Sequence, residues 1–220
     1  MHKTLQFLKF TITGISIIVT VLLSAKLNAS DMNAQEIQDT AVEAYLYLYP
    51  LVLMDVSRRV STTHPFGKDN TPFQENQLRH SRAFPDAKFR NCARPNFDTL
   101  YSIAWLDLSN GPLMLSVPDT GNRYYLIQLI DMWTDTFAVP GTRTTGNKAA
   151  VFAIIPPEWN GKIPEQCIPI KAPTLCVWLL GRIQTNGQDD YPNVNKIQDE
   201  FNLYPLNSQP NPSIAQKDDS

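Results

Sequence analysis

Basic runs, histidine, glycine and cysteine are all scarce in this chain, and each shortage removes a class of function. Nineteen lysines and arginines face twenty-one aspartates and glutamates, giving a net charge of −2, and no basic run exceeds Arg58-Arg59. Nucleic acid binds to concentrated basic surface, so no such partner is expected. Of three histidines, His2 lies in the N-terminal leader, and His64 and His80 lack the spacing that sets two imidazoles on one cation. No metal site is expected, and both histidines read as solvent-facing loop residues. G-x-S-x-G, S-x-x-K and a local Cys-His signature are all missing, so the familiar routes to an activated nucleophile are closed. No cofactor is expected either. Nine glycines against seventeen prolines describe connections that are stiffened rather than floppy, which suits an all-β scaffold better than a helical bundle.

What is present begins with an apolar run, residues 11–25, preceded by His2, Lys3 and Lys9. This is the pattern of a secretory signal over residues 1–29, cleaved after Ala29 or kept as a membrane anchor. The body is therefore expected outside the cytoplasm, in the periplasm or the extracellular space, with membrane contact only if the segment is uncleaved. Three cysteines would then enter an oxidising compartment. Cys167 and Cys176 flank a Pro-containing turn and are either a candidate disulfide or two small buried apolar residues; Cys92 is left over.

Ser30 or Asp31 can cap a helix starting near Asn33, with Ile37, Ala41, Tyr45 and Leu48 on one face. Pro50 interrupts it, and LVLMDVSRRV resumes as a second helix or a kinked continuation. Tyr45, Tyr47 and Tyr49 cannot share one helical face, so some must point toward another module, a ligand or solvent. From Ser61 to Pro95 periodicity disappears; this is a long ordered loop with Phe66, Phe73, Phe84 and Phe89 as packing pegs. Residues 96–133 then alternate as strands through turns at SNGP and PDTGN, which reads as a three-strand meander. AAVFAII, CIPIK and TLCVWLLGRIQT supply at least three more strands, joined by turns rather than helices. The expected fold is mainly β: an antiparallel β-sandwich with N-terminal helices, the long ordered loop and a C-terminal helix opened by Tyr191-Pro192. One β-rich domain, residues 30–206, and a disordered tail, 207–220, are expected.

Charges among the apolar strands are the candidate chemistry. Asp98, Arg123 and Asp131 must each find partners, with Arg143, Arg182 and Asp98 as candidates. Either they form bridges that lock strand ends or they build a ligand site. GTRTTG, residues 141–146, offers hydroxyls, backbone N–H groups and Arg143 to a carboxylate or phosphate, or else forms a well-bonded interstrand loop. Asp98 with Asp131 or Asp135 could act as acid and base if the fold brings them into one cleft.

NFDTLYSIAWLDL, VPDTGNRYYLIQLIDMW, PGTRTTG and TLCVWLLGRIQT, in that order, resemble the domain-of-unknown-function family 1254 from about Ala44 to Leu206. The resemblance implies an exported bacterial β-rich module, typically followed by a jelly-roll-like companion of family 1214, which is expected to be absent here. It implies no catalytic residue. Its motif positions mark a candidate ligand-binding surface: Asn96, Asp98, Tyr101, Arg123, Asp131, Arg143 and Thr144. Three readings follow: a module binding a small ligand or a partner domain, a hydrolase- or lyase-like enzyme using aspartates and arginine, and a structural or assembly module such as a homo-oligomer.

Overall fold

A computed structural model describes residues 33–64, 71–90 and 94–208. The expected signal segment, Phe66, Cys92 and most of the expected tail lie outside the described residues. Among the described residues, those through Tyr49 belong to one compact unit and those from Pro50 onward to a second. Helix α1, Ala34–Thr63, runs through Pro50 as one element, so the kinked or continuous alternative replaces two separate helices. Its cap is Asn33 rather than Ser30 or Asp31. The Asn33 Oδ1 accepts the N–H groups of Gln35 and Glu36 at 3.0 Å, and Glu36 Oε2 accepts the Asn33 N–H at 2.9 Å, a capping box that satisfies the first turn.

The second unit holds two sheets. Sheet one has the order β1 (Arg79–His80), β2 (Thr99–Asp107), β8 (Cys176–Gln184), β4 (Tyr125–Ile130), β5 (Thr136–Ala138), all antiparallel. Sheet two has the order β7 (Ile168–Lys171), β6 (Ala150–Ile155), β3 (Leu113–Val117), β9 (Asn202–Pro205). The β6–β7 pair is parallel, so sheet two is mixed rather than wholly antiparallel. Helix α2, Tyr191–Asp199, has Pro192 in its first turn, as expected, but stops at Asp199, and the last residues of the expected helix become strand β9.

Between the sheets lies one core, built from Leu100, Leu106, Leu115, Ile127, Phe152, Leu179 and Ile183 among others, all nearly without solvent exposure. The expected mainly-β sandwich is the observed architecture. The expected meander is not. Both turns form, with Gly111 at φ 115° and Gly121 at φ 61° in the conformations that favour glycine. The strands they join nevertheless lie in different sheets: β2 and β4 flank β8, while β3 pairs with β6 and β9. The physical reason is in LMLSV, which is apolar on both faces. Leu113, Leu115 and Val117 enter the core, and Met114 packs outward with Ala153 and Cys167. A strand with two apolar faces satisfies local pairing in either sheet, and burial selects the one that covers both.

Candidate functional site

The candidate residues separate into locked pairs, loop organisers and one open row. Arg123, entering β4, donates two hydrogen bonds to Asp190, at 2.6 and 2.9 Å, and one to the Gln184 carbonyl at 2.8 Å. The guanidinium holds the Asp190 carboxyl well below the usual carboxylate range, helped by the Asn186 N–H and the Asn193 amide. This is a bridge that fastens the start of α2 to the end of β8, so three of its donors are already committed. Asp131 is buried, and its Oδ1 accepts the N–H groups of Trp133 at 2.8 Å and Asp135 at 3.0 Å. It organises the turn after β4, where Thr134 adopts φ 72°.

Acid and base do not meet. Asp98 sits beside Thr185, whose N–H donates to the Asp98 carbonyl, whereas Asp131 follows Ile130, the partner of Trp178. The two levels are about eight residues apart along β8, roughly 26 Å at the rise of a strand. A cleft using both carboxylates is thereby removed, and Asp135 lies on the same turn as Asp131.

GTRTTG turns inward on itself. The Gly141 carbonyl accepts from the N–H groups of Thr144, Thr145 and Gly146 at 2.9 to 3.1 Å, and Thr145 Oγ1 accepts the Gly141 N–H at 3.0 Å. Thr144 Oγ1 donates to the Val139 carbonyl. Those backbone donors therefore cannot cradle an anion; the well-bonded interstrand loop is what forms. Arg143 is exposed on it.

Four residues line up across sheet one. Tyr101 on β2 is in register with Arg182 on β8, Arg182 with Leu126 on β4, and Leu126 bridges to Gly141. Because Leu100, Tyr125 and Ile183 on either side point into the core, Tyr101, Arg182 and Leu126 stand on the outer face, each half-buried. The Arg182 guanidinium carbon lies 5.3 Å from the centre of the Tyr101 ring. Asn96 holds the tyrosine: its Oδ1 accepts from Asp98 N, Thr99 N and Thr99 Oγ1 at 2.9 to 3.0 Å, leaving Nδ2 to donate to the Tyr101 hydroxyl. Farther along the same face, Trp105 and Trp178 stack at 5.7 Å and pack with Leu51 and Met54 of α1.

Two features escaped the sequence reading. His80 is not a solvent-facing loop residue: it lies on β1 with no exposed surface, its Nδ1 2.8 Å from Ser102 Oγ and its Nε2 without a partner. Burial, with Arg82 nearby, lowers its pKa to about 3. Gln198 of α2 closes this buried polar cluster, donating to the Ser81 and Tyr101 carbonyls and accepting from Arg82, which also pairs with Asp199. A two-residue strand inside a loop carries no periodicity, so no signal marked it. The second feature is α1 itself. Of the fourteen exposed large hydrophobic residues among those described, eleven lie on that helix, including Tyr45, Leu46, Tyr47, Leu48 and Tyr49.

The candidate disulfide does not form. Cys167 packs with Met114 and Ala153 on the outer face of sheet two, and Cys176 packs with Trp105 and Trp178 on the outer face of sheet one. The core lies between them, so both are free thiols, and burial raises the Cys176 pKa. No group of three or more metal-ligating side chains occurs among the described residues.

These features define a two-sheet β-sandwich with a clasped α2 and a polar row open on one outer face. The chain belongs to the family described as protein of unknown function (DUF1254), whose model matches residues 75–205. Among solved structures it is similar to the VPA0106 protein from Vibrio parahaemolyticus, at 26% identity and a TM-score of 0.58 over 76% of this chain. The match spans 38% of that protein's length. No curated protein matches.

Proposed function

We propose that this protein is an exported partner-binding module whose helix α1 is covered by a second, separate domain. The observation that carries the reading is the concentration of exposed apolar side chains on α1, eleven of fourteen, which leaves a helix with too much apolar surface for water. A solved relative more than twice as long as the matched region supports a companion domain as the occupant. Export is supported by the apolar run at residues 11–25 behind Lys3 and Lys9.

The test is co-expression with the polypeptide encoded immediately downstream. A 1:1 complex by size-exclusion chromatography with light scattering is expected, lost in Tyr45→Glu and Leu46→Lys while the melting temperature of the isolated chain stays within about 2 °C, as for surface changes. Absence of a complex with the wild type, or a homodimer broken by the same two variants, would count against a companion domain.

A further inference from the structure

Arg182 is unlike the other half-buried or buried arginines described. Arg58 pairs with Asp55 and Glu75, Arg82 with Asp199, Arg123 with Asp190, and Arg79 donates to the Thr71 carbonyl. Arg182 has no carboxylate or carbonyl acceptor among the described residues; its Nε, like that of Arg58, is buried without a partner. A guanidinium taken partly out of water without a counter-ion is unfavourable, so its retention on the central strand points to an acceptor that arrives from outside. We propose that Arg182 and Tyr101 form a binding site for a carboxylate attached to an apolar body.

Three observations narrow the ligand class. The guanidinium carbon lies over the Tyr101 ring, 5.3 Å from its centre, a cation–π placement that leaves its Nη N–H groups to meet a carboxylate. The Tyr101 hydroxyl accepts from Asn96 Nδ2, so its own proton remains to be donated to a second acceptor. The amide of Asn96 cannot turn over without losing three bonds at Oδ1, which keeps that proton aimed away from the loop. The row is completed by Leu126, with half-buried Ile103 on the same face of β2, surfaces for an apolar tail rather than for a second charge. One cation and one hydroxyl suit a monoanion better than a phosphate dianion. The site stands independently of α1 and its partner.

Isothermal titration of the full chain with benzoate, its neutral isostere benzamide, and inorganic phosphate tests the assignment. Benzoate is expected to bind at least tenfold more tightly than benzamide or phosphate. Arg182→Met should abolish the preference, and Tyr101→Phe should weaken benzoate several-fold by removing the second donor. Removing an unpaired charge should also leave the melting temperature of Arg182→Met unchanged or raised. A wild type that binds no benzoate, an Arg182→Met variant that binds it unchanged, or one that melts several degrees lower would overturn the proposal, the last because it would show that Arg182 serves the fold.

Discussion

At the residue scale, His80 ties stability to pH in a window of its own. Its ring is neutral in the folded protein, with a pKa lowered to about 3, and has the ordinary value of 6.5 when unfolded. Between those values the unfolded chain binds more protons, so stability is complete above about pH 6.5 and falls as pH drops toward 3. The full depression corresponds to roughly 5 kcal/mol, of which about 3 kcal/mol is lost between pH 6.5 and pH 4.5. Denaturant titrations at pH 7 and pH 4.5 should show this loss, and His80→Asn, which keeps a polar atom toward Ser102, should flatten it. A slope unchanged by that variant would assign the acid sensitivity elsewhere. Asp190 acts below this window: its depressed carboxyl contributes stability that is present above the ordinary value of 3.8 and lost as pH falls through its lower folded value. Arg123 and Asp190 should therefore couple in a double-mutant cycle by about 1 to 2 kcal/mol, the range for a well-formed, partly buried pair. Arg123→Ala should lower stability without changing benzoate binding, which separates this structural arginine from Arg182.

At the scale of elements, local signals were legible and pairings were not. NFDTLYSIAWLDL, LMLSV and RYYLIQLI announced β2, β3 and β4, and both turns carry glycine where positive φ is required. Alternation says which residues share a face, but nothing in residues 96–133 reveals that β8, about fifty residues farther on, inserts between β2 and β4. The same limit governed the candidate site. Asp98, Arg123 and Asp131 were visible as charges among apolar neighbours, yet whether each meets a partner is decided by Asp190, Thr185 and the turn at 131–135, which only the fold brings near. Arg182 looked like a partner for an aspartate and, among the described residues, meets no carboxylate. Gly141 shows an element-level constraint that spacing alone hides. A Cβ there would lie 2.5 Å from the Tyr125 carbonyl oxygen and 2.8 Å from Leu126 Cα, both backbone atoms of β4. Gly141→Ala should cost about 2 kcal/mol or more because neither neighbour can yield cheaply. Gly121→Ala, at φ 61° with nothing within 4 Å, should cost only about 1 kcal/mol from backbone strain. Equal losses in the two variants would contradict close packing of the 141–146 loop against β4.

At the scale of the whole molecule, the order of strands makes residues 71–208 interdependent. Sheet one closes only when β8 arrives, sheet two has β3 between β6 and β9, both from later in the sequence, and the core is shared. Late elements therefore govern early ones: α2 supplies Gln198 to the carbonyls of Ser81 and Tyr101 and Val194 to the core, and Phe201, just after the helix, joins Val194 there. Contacts so distant in sequence are formed against a loop-closure cost that no local segment offsets alone. A chain ended at Thr185 keeps every strand of sheet one but loses the Asp190 carboxylate, the α2 clasp and β9. Arg123 is then left without its acid, Arg82 without Asp199, and the β3 edge without its cover. This truncated chain should lose the cooperative denaturant transition, with tryptophan fluorescence from Trp105 and Trp178 broadening first because those rings report the sheet whose inner polar cluster α2 closes. In the full chain the fluorescence and far-ultraviolet circular dichroism transitions should coincide, as expected when one core serves both sheets. A truncated chain that still unfolds in a single sharp step would show that sheet one is stable without α2, and would move the clasp from the fold to some other role.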